Sequence, residues 1–161
     1  MKISSREDVS LPIAAMFLAV SDFGAFERRV LRRGAEVSRT DPPSGPGKGS
    51  TWEAQFQFRG RERDLTARVT EYDAPSQITV ASRSGGLRGE FTVSLVALTP
   101  KKTRMIVGLE LSPTNLSARL FVQSLKLAKS TISRRFEAAV EDYARGLERS
   151  HDGAEGHAAL S

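Results

Sequence analysis

Residues 2–11 alternate, with Ile3, Val9 and Leu11 on one phase and Lys2, Arg6, Asp8 and Ser10 on the other. Period two predicts a half-buried first strand. Pro12 stops it and suits the first turn of a helix. Ala14 to Ala19 predict that short helix. Ser21-Asp22 offers a second cap, and Phe23 with Phe26 a second short helical turn.

From residue 28 to 111 the alternation returns. Val30 to Arg39 reads as an arginine-rich strand, and Asp41 to Gly49 as a Pro/Gly loop. Trp52, Ala54, Phe56 and Phe58 alternate with Glu53, Gln55 and Gln57, up to a turn at Gly60-Arg61. Leu65, Ala67 and Val69 make the next strand, ending at Asp73-Ala74-Pro75. Ile78 and Val80 follow, broken at Ser84-Gly85-Gly86. Phe91, Val93 and Leu95 run to Thr99-Pro100, and Met105, Val107, Leu109 and Leu111 run to Pro113. Short turns between successive strands predict an antiparallel meander.

The period then becomes 3.6. Phe121, Leu125, Ala128, Ile132, Phe136, Ala139, Tyr143 and Leu147 form one stripe, with Thr114 or Asn115 as its cap. At 1.5 Å per residue this predicts one helix of ~45–50 Å. The small polar residues 150–161 predict a disordered C-terminal tail beyond a single domain at 1–149.

Composition narrows the chemistry. The chain has 161 residues, 39% hydrophobic and 27% charged, which fits one soluble domain. No cysteine is present, so disulfides, thiolate metal sites and thiol nucleophiles are excluded. Its two histidines, His151 and His157, both fall in the last eleven residues, so neither a Ser-His-Asp triad nor a metal site is expected. The net charge is +5. Arg28, Arg29, Arg32 and Arg33 form one basic cluster and Arg59, Arg61 and Arg63 another. Few exposed aromatics accompany them, so nucleic acid is not an expected partner, and a membrane is met at most by transient surface contact. Gly47-Lys48 does not make a phosphate loop, because the first glycine of that motif would fall on Pro42 and its Ser/Thr on Gly49. The 41–49 loop reads instead as a flexible lip. The longest apolar run, Leu11 to Val20, is too short to cross a bilayer, and the N-terminus lacks signal-peptide order. A cytoplasmic monomer or homodimer is expected.

Strand, two short helices, six antiparallel strands and a long helix leave one apolar sheet face that only the last helix can cover. This order resembles the helix-grip fold of the START-related, birch-pollen-allergen and polyketide cyclase/dehydrase superfamily (SRPBCC). Val9-Ser10-Leu11-Pro12-Ile13-Ala14-Ala15-Met16-Phe17, followed by Val20-Ser21-Asp22-Phe23, is similar to its first strand and helix pair. Gly47-Lys48-Gly49-Ser50-Thr51-Trp52 resembles its glycine-x-glycine approach to the third strand. Val69 to Pro75 resembles its strand before a proline turn, and Lys102 to Leu111 its last strand. The resemblance implies an α+β domain, with a curved sheet of about seven strands wrapped around the C-terminal helix and a ligand cavity between them.

The lining expected from the inward phase is Trp52, Phe56, Leu65, Val69, Val80, Phe91, Val93, Met105, Val107 and Leu109 on the sheet, with Ile78 among them. On the helix it is Phe121, Leu125, Ala128 and Ile132. That phase carries almost no titratable group, so no catalytic residue and no cofactor are expected. Glu110, Glu71 and Tyr143 are weak catalytic candidates, with Tyr72 and Glu90 also at the edges of that phase. The reading is binding or transport of a hydrophobic or amphipathic small molecule (lipid, quinone or polyketide-like). The same superfamily allows a cyclase/dehydratase-type enzyme or a chaperone-activator-like protein-binding module.

Overall fold

The computed structural model describes the backbone of residues 1–160 and the side chains of residues 1–154. Strand β1 (Lys2–Val9) precedes helices α1 (Ile13–Val20) and α2 (Phe23–Arg32). Strands β2 (Glu36–Thr40), β3 (Thr51–Phe58), β4 (Arg61–Asp73), β5 (Gln77–Ser84), β6 (Leu87–Thr99) and β7 (Lys102–Pro113) follow, then helices α3 (Leu116–Leu127) and α4 (Lys129–Leu160). The strands make one sheet in the order β1-β7-β6-β5-β4-β3-β2, with every pair antiparallel. The first strand pairs with the last, Ile3 opposite Leu109 and Val9 opposite Thr103. This is the expected helix-grip architecture.

One apolar cluster holds the elements together. Met16, Phe17 and Val20 of α1 and Phe23 of α2 meet Val69, Ile78, Val93, Leu95, Met105 and Val107 of the sheet, with Val140 and Ala144 of α4. Helix α4 packs along β1. Its Arg145 Nη2 donates to Glu7 Oε2 at 3.1 Å and to the Asp8 carbonyl at 2.9 Å. Glu148 pairs with Arg145 Nη1 at 2.6 Å and accepts from the Ser10 N–H at 2.8 Å. Arg104 grips Asp8 with two bonds, at 2.8 and 3.2 Å, which holds that carboxyl below its ordinary range.

Four expectations are corrected. The segment read as a strand from Val30 to Arg39 is a strand only from Glu36, in β2; residues 30–32 close helix α2, because Phe23, Phe26 and Val30 recur at i, i+3 and i+7. Arg29 and Arg32 fall in its last turn, where cations suit the helix dipole. Gly34, at φ 91°, then lets the chain turn into a short β2. Secondly, the single long helix is two. The break is at Ala128 (φ −104°, ψ 16°) and involves neither Gly nor Pro. Tertiary packing supplies its reason: α3 seats Ala118 and Val122 and packs on β7, whereas α4 follows β1. Asn115 caps α3, accepting from the Ala118 N–H at 2.8 Å.

The third correction moves the hairpin turn to Arg59-Gly60, both at positive φ (51° and 74°), one residue before the expected pair. Lastly, the 41–49 loop is pinned. Buried Ser50 donates to Asp41 Oδ1 at 2.7 Å and accepts from the Gly47 N–H at 3.0 Å, while the Gly49 N–H reaches the Val69 carbonyl at 2.8 Å. The helical backbone of α4 continues through residues 150–160, the segment expected as a tail. The side chains of 155–160, His157 included, and all of Ser161 lie outside the described residues.

Candidate functional site

The inner face of the sheet, roofed by α2 and α4, encloses a cavity of about 660 Å³. That lies inside the ~300–1,000 Å³ range of small-molecule sites. Alternation builds the wall. Trp52, Ala54 and Phe56 come from β3, Leu65 and Ala67 from β4, Ile78 and Val80 from β5, Phe91 and Val93 from β6, and Met105 and Val107 from β7. The facing side comes from Val20, Phe23, Phe26 and Val30, with Phe136, Ala139, Val140 and Tyr143 of α4. Phe91 sits on a central strand yet is 38% exposed, so the cavity opens to solvent.

Among the expected lining residues, Trp52, Phe56, Leu65, Ile78, Val80, Phe91, Val93, Met105 and Val107 lie on this wall. Val69, Leu109, Phe121, Leu125, Ala128 and Ile132 do not. Val69 is wholly buried in the core. Leu109 lies opposite Ile3 and Phe91 on β7, beyond the wall. The break at Ala128 turns α3 away from the cavity. Phe121 packs edge-on against Phe58, with centroids 6.2 Å apart, and the Arg59 guanidinium lies 5.3 Å from each ring. Leu125 is half-buried on α3, Ala128 is exposed at the break, and Ile132 is half-buried in the first turn of α4.

The expectation of a wall without titratable groups is also corrected. Glu27, Arg29, Ser82 and Tyr143 line it. Two of these, Glu27 and Arg29, went unseen because residues around 30 read as a strand; the 3–4 residue spacing of Phe23, Phe26 and Val30 was the available signal. Glu27 accepts from Trp52 Nε1 at 3.1 Å and pairs with Arg39 Nη1 at 2.8 Å. Ser82 Oγ donates to the Gly89 carbonyl at 3.2 Å. The Arg29 guanidinium lies 5.1 Å from the Tyr143 ring centroid and 5.6 Å from that of Phe26, a cation–π arrangement. It forms no salt bridge among the described residues. Burial pushes the Tyr143 hydroxyl up to about 12, against the pull of the Arg29 charge and with a push from Asp22. That hydroxyl therefore stays protonated and can act as a hydrogen-bond donor.

The two carboxylates weighed as catalytic candidates are off the wall. Glu71 follows a bulge after Val69 and accepts from Thr79 Oγ1 at 3.2 Å. Glu110 lies across from Lys2, 3.7 Å from its Nζ, in a charged groove on the opposite face of the sheet. That groove, about 930 Å³, presents Asp64, Arg68, Arg83, Arg88 and Glu90 as well. No helix among the described residues is long and apolar enough to cross a membrane.

No family model matches the chain, and no curated protein matches it in sequence. Solved structures do match. A protein from Thermus thermophilus aligns with a TM-score of 0.64 at 15% identity, over 96% of this chain and 99% of that one. An aromatase/cyclase from a Streptomyces species aligns with a TM-score of 0.62 at 12% identity, over 90% and 93%. A START superfamily protein from Mycobacterium smegmatis aligns with a TM-score of 0.53 at 17% identity, over 86% and 98%. At such identities the likeness is one of fold.

Proposed function

We propose that the chain binds or carries a hydrophobic or amphipathic small molecule in this cavity, of lipid, quinone or polyketide-like kind. The observation that carries this reading is a continuous apolar wall drawn from six strands and left open to water at Phe91. Wetted hydrocarbon of this extent is unfavourable, and a guest that displaces the water relieves it. An open cavity also favours a small guest over the protein-binding alternative, which needs an exposed apolar patch and no hollow.

Trp52, the chain's one tryptophan, stands on the wall and reports occupancy by its emission. Titration with fatty acids, quinones and aromatic polyketides is expected to give saturable changes. Ala139→Trp, which fills the cavity from α4, is expected to abolish binding as followed by calorimetry. Wild-type protein that binds none of them, or a variant that binds as before, overturns the reading.

The cyclase-type reading keeps one supporting observation, the protonated Tyr143 hydroxyl on the wall. It predicts that Tyr143→Phe removes turnover of a polyketide substrate while leaving its binding intact.

A further inference from the structure

Four polar side chains interrupt the apolar wall, and two of them are already satisfied within the fold. Glu27 is neutralised by Arg39 and bonded to Trp52. Ser82 spends its proton on the Gly89 carbonyl. Arg29 and Tyr143 remain, adjacent to each other, with no hydrogen bond or ion pair to another side chain among the described residues. The rings of Tyr143 and Phe26 fix the guanidinium, leaving its N–H edges for a ligand. Asp22, whose charge reaches Tyr143, accepts from the Ala25 N–H at 3.1 Å as the α2 cap.

We propose that the guest is an amphiphile with a carboxylate head, held by Arg29 and the Tyr143 hydroxyl at the cavity mouth with its tail along the strands. The proposal rests on the cavity reading above. A carboxylate fits the donors: a planar fork that engages both oxygens, plus one phenolic O–H. It also fits the charge. One cation balances a monoanion, whereas a phosphate dianion would leave unbalanced charge close to Asp22 and Glu27.

Dodecanoate, dodecanol and dodecyl phosphate, each below its micelle concentration, are titrated against Trp52 emission in low salt. Wild type is expected to bind dodecanoate about tenfold more tightly than dodecanol, since a charge-assisted bond at a partly exposed site is worth about that much. Dodecyl phosphate is expected to bind more weakly than dodecanoate. Arg29→Gln should bring the acid and the alcohol within about twofold of each other, with alcohol binding retained. Arg29→Lys, which keeps the charge but loses the fork, should give an intermediate preference. Arg28→Gln, which removes the same charge from the same helix away from the wall, should leave the preference as in wild type. Rising salt should shrink the preference without touching the alcohol.

Equal affinity for acid and alcohol in wild type overturns the carboxylate proposal and leaves the cavity reading standing. So does an equal loss in the Arg28 and Arg29 variants, and tighter phosphate binding transfers the head group to another anion class. Failure of all three probes to perturb Trp52 overturns the cavity reading itself.

Discussion

Tyr143 and Ser50 show how much a single side chain's surroundings decide. Tyr143 holds its proton to about 12, above its ordinary 10.0, because burial penalises the phenolate. The sign follows from linkage. Its contribution to stability is complete below pH 10 and is lost as pH rises towards 12, where the unfolded chain ionises first. Denaturant titrations across that window should show a steeper decline for wild type than for Tyr143→Phe. Ser50 is fully shielded, and its hydroxyl both donates to Asp41 and accepts from the Gly47 N–H. Ser50→Ala leaves those two groups unsatisfied and should cost about 1–3 kcal/mol, read from the urea midpoint. Met16, with no exposed surface, should cost about 2–5 kcal/mol as Met16→Ala. At this scale the sequence was legible for apolar side chains, whose alternation put Trp52, Phe56 and Phe91 on the right face. It misled for the 41–49 loop, since glycine and proline content says nothing about the partners that pin Ser50.

Among the elements, α3 and α4 carry the main lesson. One stripe from Phe121 to Leu147 spans both, and no residue at Ala128 announces a break. Helical periodicity records which side is apolar, not which neighbour each half meets, and here the two halves meet β7 and β1. That is why the expected Phe121, Leu125, Ala128 and Ile132 are off the cavity, while Phe136, Ala139 and Tyr143, further along the stripe and not expected there, line its wall. The start of α3 was legible. Asn115 caps it, so Asn115→Ala should cost about 1 kcal/mol and Asn115→Asp should keep most of that, judged by thermal melts. Gly86 presses against the Asn115 side chain, so Gly86→Ala should show the same loss by displacing the cap.

Across the whole molecule, the first strand and the residue after it are clamped to parts of the chain far away in sequence, to β7 through Asp8 and Arg104 and to α4 through Arg145 and Glu148. The Asp8 carboxyl is held below its ordinary 3.8 by Arg104. Its share of stability is present above that value and vanishes as pH falls through the lowered one. Asp8→Asn should therefore be less stable than wild type at neutral pH and match it in strong acid, as seen in pH-dependent unfolding. No local pattern predicts that clamp, because periodicity carries no information about partners 96 to 138 positions away.

Phe91 draws these scales together. A phenyl ring near the middle of a seven-stranded sheet, on the face that lines the cavity, keeps over a third of its surface uncovered. Any guest that dries it must leave a calorimetric signature: a negative heat-capacity change, so that the measured enthalpy grows more exothermic with each degree of warming.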